Sequence, residues 1–336
     1  MTFGEILMRL NPEGYRRFAQ AERFEATYGG SEANVAVSLS LFGDDAAYVT
    51  KLPEHEIGQN AVNSMRRFGV DTEKIVRGGP RIGLYFCEKG ASQRAGLVIY
   101  DRAGSSMSLA KRKDFDWDAI LDGVSWFHWS GITPALSDEL IEITMDALKK
   151  CREKGITVSC DPNYRAKLWT FEKASKVMMR FMPYVDVLIS NEGQARGMFD
   201  IQVEEQGWTD GALNRKGYAE VAEQICQRFG CKAVALTERG SVSASDNNWS
   251  AMLYTKKQTF FSKSYSIHLV DRVGGGDSFA AGLIHAMLHN WDNQKAIEFA
   301  VAASCLKQTI EHDYNLIFEA EALALAYGDG SGQVKR

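Results

Sequence analysis

The sequence predicts an α/β fold in which helices cover both faces of a doubly wound, mostly parallel sheet, with a small second β-sheet attached. Strand-like and helix-like segments alternate between residues 124 and 237, which is typical of a parallel sheet with helices on both faces. Two earlier regions, 9–28 and 81–102, lack helical periodicity and indicate additional strands. Late in the chain, a run of three glycines precedes an apolar segment with helical spacing.

The first strand is predicted at the start of the chain, where MTFGEILMRLNPEG lacks the basic and then apolar layout of a signal peptide. Further strands are predicted in VSWFHWSG, ITVSCDP, VDVLISN and CKAVALT, which occupy 124–131, 156–162, 185–191 and 231–237. Apolar residues recur at helical spacing between them, so helices are predicted at 137–155, 170–182 and 215–230. The polar stretch 203–214 is interpreted as a surface insertion.

The two β-rich regions are predicted to form a lid. Within the second of them, RIGLYFCEKG (81–90) and AGLVIYDRAG (95–104) are β-rich and separated by polar turn residues, which predicts a hairpin. We therefore divide the chain into an α/β core, formed by 1–8, 29–80 and 103–336, and a discontinuous lid, formed by 9–28 and 81–102. A lid of this kind would cover a cleft and exclude water from a reaction.

Composition narrows the functional classes. The chain has 336 residues, of which 45% are hydrophobic and 24% charged, with a formal net charge of −4. These values are typical of an ordinary soluble protein and argue against nucleic acid or an anionic membrane as a partner. No apolar run is long enough to span a bilayer. The cysteines lack metal-ligand spacing and predict reduced thiols in a cytoplasmic protein; they are Cys87, Cys151, Cys160, Cys226, Cys231 and Cys305.

The glycine run belongs to DRVGGGDSFAAG, residues 271–282. The chain has no G-x-x-x-x-G-K-[ST] motif, and Phe279 stands where G-x-G-x-x-G would require its last glycine. Backbone N–H groups at a helix start suit an anion, whereas Asp277 would repel one. Asp277 is either a helix cap or the base for an alcohol that receives a phosphoryl group.

DRVGGGDSFAAG is similar to the C-terminal signature of the ribokinase/PfkB family of carbohydrate kinases, usually D-T-x-G-A-G-D, and GGSEANVAVSLSLFG (29–43) resembles the N-terminal signature. The resemblance extends from Phe3 to about the end of the chain. It implies a ribokinase-like fold and a kinase that uses ATP and Mg²⁺, and it leaves the need for a monovalent cation open. By resemblance, Asp277 takes the proton from the sugar hydroxyl, and the N–H groups of Gly274, Gly275 and Gly276 form the anion hole.

The sequence departs from the family pattern at several positions. Arg272 replaces Thr and Gly275 replaces Ala in the signature, without loss of a catalytic group. The N-x-x-E motif of the family appears as NEGQ, 191–194, so Asn191 is kept for cofactor binding and Gln194 would reach Mg²⁺ through a water. The resemblance also implies nucleotide contacts at Thr237, Arg239 and Ser241, in ALTERGSVSAS (235–245), and at Ala303, in the segment 300–315. An exposed turn is the alternative for 235–245.

Three arginines bear on the acceptor. Arg9 stands about where fructokinase-like members have Asp, and we interpret it as part of a structural ion pair. Arg102 and Arg165 follow predicted strands, where ligands bind in open parallel sheets, and arginine suits a carboxylate. Their segments, IYDRAGSS and CDPNYRAKLW, resemble those of 2-keto-3-deoxygluconate kinases. This resemblance implies that both arginines bind the acid and keto end, within a pocket that includes Gly30, Asn34, Tyr85 and Tyr100.

The sequence therefore predicts ATP-dependent phosphorylation of 2-keto-3-deoxygluconate to 2-keto-3-deoxy-6-phosphogluconate. A kinase for another sugar acid or for fructose is the alternative, and a non-catalytic sugar or nucleotide sensor on the same fold is more remote. The residues do not separate gluconate-derived from galactonate-derived acids. Because an exposed lid sheet has free edges, another copy of the chain could cover the lid to form a homo-oligomer.

Overall fold

The computed structural model describes residues 1–202 and 215–328, so the polar stretch 203–214 lies outside the described residues. The strands are β1 (Thr2–Phe3), β2 (Leu7–Asn11), β3 (Glu25–Gly29), β4 (Tyr48–Val49), β5 (Lys51–Leu52), β6 (Val76–Arg77), β7 (Gly83–Glu88), β8 (Leu97–Asp101), β9 (Trp126–Ser130), β10 (Thr157–Asp161), β11 (Val187–Asn191), β12 (Ala233–Ser241), β13 (Asp246–Thr255), β14 (Gln258–Phe261) and β15 (Tyr265–His268).

The helices alternate with these strands. They are α1 (Ser31–Phe42), α2 (Glu56–Arg66), α3 (Trp117–Ile120), α4 (Ile132–Ala135), α5 (Asp138–Lys154), α6 (Phe171–Phe181), α7 (Glu192–Met198), α8 (Arg215–Phe229), α9 (Gly275–Leu288), α10 (Asn293–Lys307) and α11 (Glu319–Tyr327). Within the described ranges, no helix is both long and apolar enough to cross a membrane.

The main sheet has the strand order β14-β13-β12-β11-β10-β9-β1-β4, with β15 paired to β13. The pairs from β12 through β4 are parallel, and the pairs that β13 makes with β12, β14 and β15 are antiparallel. The chain order reverses where β1 meets β9. A reversal of this kind opens a crevice at the carboxyl ends of the strands, where ligands bind in open α/β sheets.

Side chains that alternate along each strand form two hydrophobic layers. On β12, Val234 and Leu236 pack with α5, α6, α7 and α8 on one face of the sheet. Ala233 and Ala235 pack with α1, α9, α10 and α11 on the other face. The predicted doubly wound α/β class, with helices on both faces of a mostly parallel sheet, is confirmed.

Helix α5 shows why the predicted elements end where they do. The side chain of Ser137 accepts a hydrogen bond from the N–H of Leu140 at the start of the helix, which satisfies one of the free amides of the first turn. Gly155 ends the helix in a left-handed conformation with φ 69°, which glycine adopts without steric cost. The helix predicted at 137–155 is therefore confirmed to within a residue at each end.

The second sheet has the order β3-β2-β7-β8 and stands apart from the main one. Strands β7 and β8 are antiparallel, with Tyr85 opposite Tyr100, so the predicted hairpin is confirmed. This sheet presents Leu7, Tyr85 and Tyr100 to a cavity above the main sheet. Its strands extend slightly beyond the ranges 9–28 and 81–102, since β2 begins at Leu7 and β3 ends at Gly29.

Candidate active site

Two adjoining cavities lie at the carboxyl ends of the parallel strands. The smaller, of about 260 Å³, lies beneath the second sheet and extends to the start of α1 and the glycine turn before α9. The larger, of about 570 Å³, is an open cleft beside the ends of β10, β11 and β12. Four residues line both cavities: Asp161, Asn163, Arg165 and Gly276. This arrangement places one small ligand against the end of a longer one.

Asp277 lines the smaller cavity in the first turn of α9, and two side chains of α1 orient its carboxylate. The hydroxyl of Ser31 donates to Oδ1 and the amide of Asn34 donates to Oδ2, both at 2.7 Å. Burial raises the pKa of Asp277 above its usual value, although these hydrogen bonds and nearby Arg165 oppose that effect. An oriented carboxylate with a raised pKa is a competent proton acceptor.

Close backbone packing at two glycines brings these groups together. A Cβ on Gly30 would lie 2.2 Å from the carbonyl oxygen of Glu5, so only glycine fits beside the loop after β1. The N–H of Gly30 also donates to Asn34 Oδ1 at 3.3 Å. Gly274 has φ 83°, and a Cβ there would lie 2.2 Å from the carbonyl oxygen of Asp313. The turns that precede α1 and α9 therefore both require glycine.

The three glycines of the turn differ in their exposure. Gly274 and Gly276 line the smaller cavity, and the Cα of Gly276 faces open space. Gly275 is buried, packs against Gln308, and donates its N–H to the carbonyl oxygen of Arg272 at 3.3 Å. The structure thus brings two of the three predicted anion-hole residues to the cavity. The helix dipole of α9 adds positive potential at the same place.

A buried ammonium group lies behind this turn. Lys307 is fully buried, and its Nζ donates to the carbonyl oxygens of Asp271 at 3.4 Å and Ile310 at 3.1 Å. A Cβ on Gly274 would lie 3.1 Å from its Cε. Burial lowers the pKa of Lys307 to about 8, although nearby carboxylates favour its charged form. Lys307 was not among the residues predicted from the sequence.

Two further acids lie near Asp277. Asp161, at the end of β10, lines both cavities, and burial together with the charge of Asp277 raises its pKa to about 7. Glu32 is buried in α1 and accepts hydrogen bonds from the N–H of Ser130 and the hydroxyl of Thr133. Burial raises the pKa of Glu32 to about 7 as well. The site therefore concentrates carboxylates whose ionised forms are disfavoured.

The two predicted carboxylate-binding arginines differ in their partners. Arg102 lines the smaller cavity but is almost buried, and its Nε donates to Glu5 Oε2 at 2.7 Å. Its Nη2 donates to the same oxygen. Arg165 is partly exposed and lines both cavities, and its Nη1 donates to the carbonyl oxygen of Tyr164 at 3.1 Å. Among the described residues, Arg165 forms no ion pair within 4.0 Å, but its charge favours the ionised forms of Asp161 and Asp277.

The remaining predicted pocket residues are held by an ion-pair network. Arg9 is fully buried and forms ion pairs with Asp271 at 2.6 Å and Asp313 at 3.0 Å, which confirms its interpretation as a structural residue. The hydroxyl of Tyr85 donates to Asp313 at 2.5 Å. The ring of Tyr85 lies 5.8 Å from that of Tyr100. This network fixes the second sheet to the C-terminal part of the main domain.

The larger cleft collects most of the residues predicted to contact the nucleotide. Asn191, Gln194, Thr237 and Arg239 line it together with Glu192. Asn191 begins α7, and its side chain accepts the N–H of Gln194 at 2.9 Å. Burial and the neighbouring charge of Arg272 lower the pKa of Arg239. Two close guanidinium groups favour an anion between or beside them.

Glu192 has a donor atom that suits a metal ion. Its Oε1 is buried and has no hydrogen-bond partner among the described residues, and burial raises its pKa. Oxygen ligands of this kind suit Mg²⁺. The carboxylate stands two positions before Gln194, where the resemblance led us to expect one.

Two predicted nucleotide contacts are not brought to the cleft. Ser241 lies at the exposed end of β12 and lines a separate cavity beside the tip of the second sheet. Ala303 is fully buried in α10, and its Cβ would lie 3.5 Å from a Cβ placed on Gly282 of α9. Since tight packing of α9 on α10 leaves no room for a ligand at Ala303, the structure does not support that prediction.

The residues that sequence reasoning missed carry weak local signals. Asp161, Glu192 and Arg272 each line a cavity of the candidate site. Asp161 and Glu192 stand at or directly after predicted strand ends, which is the position that ligand-binding residues occupy in parallel sheets. Glu32 lies in the helix α1, where nothing in the sequence distinguishes it from a surface glutamate. Only its burial in the structure does so.

Comparisons with known proteins agree with this geometry. The model of the pfkB family carbohydrate kinases matches residues 1–311. The crystal structure of a 2-dehydro-3-deoxygluconokinase from Thermotoga maritima is 53% identical, with a TM-score of 0.94 and 97% of each chain covered.

Two further relatives act on related compounds. The 2-dehydro-3-deoxygalactonokinase of Haloferax volcanii is 29% identical over 99% of this chain and 98% of its own. The 2-dehydro-3-deoxygluconokinase of Bacillus subtilis is 24% identical over 96% and 94% of the two chains. Each similarity extends over nearly the whole length of both proteins.

Proposed function

The chain belongs to the pfkB family of carbohydrate kinases, and on this basis we propose that it transfers the γ-phosphoryl group of ATP to the 6-hydroxyl of 2-keto-3-deoxygluconate. The observation that carries the proposal is the position of Asp277 in a small cavity that adjoins an open cleft through Gly276 and Arg165. The sugar acid occupies the cavity, and ATP occupies the cleft. The relative at 53% identity supports the choice of acceptor.

Asp277 acts as the base. Its carboxylate accepts the proton of the acceptor hydroxyl as that oxygen bonds to the γ-phosphorus, and the bond from this phosphorus to the β,γ-bridging oxygen breaks. The products are the phosphate ester and ADP, and the proton leaves the site from Asp277. Hydrogen bonds from Ser31 and Asn34 hold the carboxylate in place, so little reorganisation is needed during the transfer.

The glycine turn and nearby arginines stabilise the charge on the transferring group. The N–H groups of Gly274 and Gly276 lie at the cavity, and Gly275 shapes the turn from behind. Arg239 lines the cleft and Arg272 lines the cavity, so both lie beside the path of the triphosphate. Fixed donors of this kind are effective because they are oriented before the charge develops.

The cleft also suits Mg²⁺, which when bound neutralises charge between the phosphates of ATP. Asp161, Asn191, Glu192 and Gln194 would hold it, directly or through water. The buried and unpartnered Oε1 of Glu192 supports this assignment. The ionised carboxylate of Glu192 supplies the negative charge that Gln194 lacks.

Arg165 provides the positive charge for the substrate carboxylate. It lines the cavity without an ion-pair partner in the described part of the chain. Arg102 lines the same cavity, but Glu5 balances its charge. Arg102 therefore contributes hydrogen bonds and helps to shape the cavity. Tyr85, Tyr100 and Gly30 complete the wall. The charge of Arg165 favours an acidic sugar over a neutral one.

The second candidate is a kinase for the galactonate-derived epimer, which the relative from Haloferax volcanii favours. Fructose is less well suited, because Arg9, where a hydroxyl-binding aspartate would stand, is held by Asp271 and Asp313. A non-catalytic sensor would not need the oriented base at Asp277.

We also propose a homo-oligomer formed through the outer face of the second sheet. Phe24, Leu97 and Ile99 are 41%, 43% and 46% exposed there, and an apolar patch on a sheet with two free edges favours self-association. Sedimentation equilibrium of the native chain and of Ile99→Lys measures the oligomer.

The function is tested by ADP release with ATP and Mg²⁺. We expect strong turnover on 2-keto-3-deoxygluconate, weaker or equal turnover on its C4 epimer, and little on fructose or ribose. Asp277→Asn should lower kcat by about 10²- to 10⁴-fold while retaining ATP binding. Equal turnover on fructose would remove the acid-binding role of Arg165, and no turnover on any of the four would overturn the proposal.

A further inference from the structure

A cluster of metal-ligand side chains lies at the ends of α1 and α9 that point away from the candidate active site. Asp44 follows the C-terminal cap of α1, His285 lies in the last turn of α9, and His289 caps that helix. Residues four apart share one face of a helix, so both imidazoles face Asp44. The ligand atoms of all three lie within 4.8 Å of one another.

The distances show how the cluster is held together. His285 Nδ1 lies 2.8 Å from Asp44 Oδ2, and His289 Nε2 lies 2.9 Å from Asp44 Oδ1. Ligands of a tetrahedral Zn²⁺ ion lie about 3.3 Å apart, as metal–ligand bonds of about 2.0–2.1 Å require. An opening of about half an ångström would therefore admit an ion. Two imidazoles and a carboxylate are a common ligand set for such ions.

The outer side of His285 supplies an independent observation. Its Nε2 is buried and has no hydrogen-bond partner among the described residues. The nearest carboxylate is that of Glu319, at the start of α11, with Oε2 at 3.5 Å. Metal-bound histidines commonly donate their second N–H to a carboxylate, which fixes the tautomer. A metal on Nδ1 would place the proton on Nε2, facing Glu319.

The residues around the cluster also fix the orientation of its side chains. Phe42, Trp291 and Phe299 surround the imidazole of His285, so its orientation is set by packing. Each carboxylate oxygen of Asp44 faces one imidazole nitrogen. The three ligand side chains therefore already converge on one point.

We propose that Asp44, His285 and His289 bind one divalent transition-metal ion of the Zn²⁺ class, with Glu319 as the outer partner of His285. The ion would join the C-terminal ends of α1 and α9. The N-terminal ends of the same two helices carry Asn34 and Asp277, which are hydrogen-bonded to each other. The proposed ion is thus structural, and its four residues line neither cavity of the candidate active site.

The test uses the full-length chain after chelation, titrated with Co²⁺ and then with Zn²⁺ in the absence of nucleotide. We expect one Co²⁺ per chain with visible absorption typical of nitrogen and oxygen ligands, displacement by Zn²⁺, and a rise in Tm with either ion. Since a ligand that binds only the folded state stabilises it, the rise should follow occupancy.

Three variants locate the ion. His289→Gln changes a half-exposed ligand and should weaken binding at least tenfold and abolish the rise in Tm, and Asp44→Asn should do the same. Glu319→Gln keeps the stoichiometry but should weaken binding about tenfold, as loss of an outer-shell partner does. His268→Gln is the matched control, because His268 is exposed and pairs with Asp246 at 2.8 Å.

Several results would overturn the proposal. These are the absence of saturable Co²⁺ absorption, binding that His289→Gln and Asp44→Asn leave unchanged, or an absorption band from thiolate ligands, which would place the ion on cysteine. Melting curves of the metal-free variants show whether each one folds, so a loss of binding is separable from a loss of structure.

Discussion

Arg102 donates from Nε to the carboxylate of Glu5 at 2.7 Å, and both residues are almost fully buried. The charge of this arginine is therefore balanced before any substrate arrives. A buried pair of this kind is costly to break, because removing one partner leaves an uncompensated charge. Of the two arginines predicted to bind the substrate carboxylate, Arg165 is the one without an ion-pair partner within 4.0 Å in the described part of the chain.

Arg165→Gln is expected to raise KM for 2-keto-3-deoxygluconate by about 10- to 100-fold, because hydrogen bonds to a charged group contribute about 1.5–3 kcal/mol. Arg165→Lys should recover little of this, since an ammonium does not bind a carboxylate through two parallel bonds. Steady-state kinetics with the acid and with fructose measure the effect. An equal change for both sugars would contradict the assignment.

Arg102→Met is expected to act mainly on stability. Loss of one partner of a buried ion pair costs about 3–5 kcal/mol of the free energy of unfolding, because Glu5 is left unpaired. The double variant Glu5→Gln/Arg102→Met should recover most of this loss. Urea denaturation of the wild type, Arg102→Met, Glu5→Gln and the double variant measures the coupling. Additive losses would show that the pair contributes no specific interaction.

Activity is expected to fall as the pH decreases, because Asp277 accepts a proton only when it is ionised. Burial raises the pKa of Asp277, so the acidic limb of kcat/KM should lie above the ordinary range of aspartate. Ser31→Ala removes a hydrogen bond that lowers the pKa of Asp277, so it should move the limb to higher pH. Asp101→Asn, at an exposed residue of β8, is the control. A limb that stays in place or moves to lower pH would contradict this role of Ser31.

Glu192→Gln is expected to raise the Mg²⁺ concentration for half-maximal activity about tenfold, which is a usual effect for a supporting metal ligand. Gln194→Glu adds a carboxylate and should lower that concentration. Titrations at fixed ATP measure both, and Glu172→Gln on the exposed face of α6 is the control. If Glu192→Gln has the Mg²⁺ dependence of the wild type, the ion is held elsewhere.

Lys307 is expected to act as a positioning residue for the glycine turn. Its ammonium is lost as the pH rises through its pKa of about 8, so kcat should decline on the alkaline side. Lys307→Met should lower kcat about tenfold at pH 7, because the loop that ends in the turn loses the hydrogen bonds from Nζ to the carbonyl oxygens of Asp271 and Ile310, each of which contributes about 0.5–1.5 kcal/mol. It should also remove that alkaline limb. Lys295→Met, on the same helix, is the control, and an unchanged limb in Lys307→Met would exclude this role.

The sequence was sufficient to predict the fold and the position of the glycine turn before α9, because both signals are local. Strand and helix periodicities lie within short segments, and Gly274 to Asp277 are contiguous. The pairing of Arg102 with Glu5 was missed because the two residues are 97 positions apart. No periodicity relates positions so far apart. The sequence therefore does not distinguish an arginine that is available to a substrate from one that forms an ion pair within the protein.

The burial of Ala303 was not predictable from the sequence for a different reason. A small residue in the C-terminal part of the chain fits either a base pocket or a tight helix contact. Gly282 allows α9 to approach α10 closely, and this approach buries Ala303. The packing partner lies on another helix, so the burial of Ala303 depends on tertiary structure that its own segment does not encode.

The ion pair between Arg9 and Asp313 has a consequence for biosynthesis. The two residues are 304 positions apart, which a ribosome adding about 5–20 residues per second covers in roughly 15–60 s. For most of that interval Arg9 has neither of its carboxylates, although β2 already has both strands that pair with it, β3 and β7. The second sheet is therefore synthesised long before the charges that neutralise it, and a chain released before residue 271 contains neither those carboxylates nor Asp277.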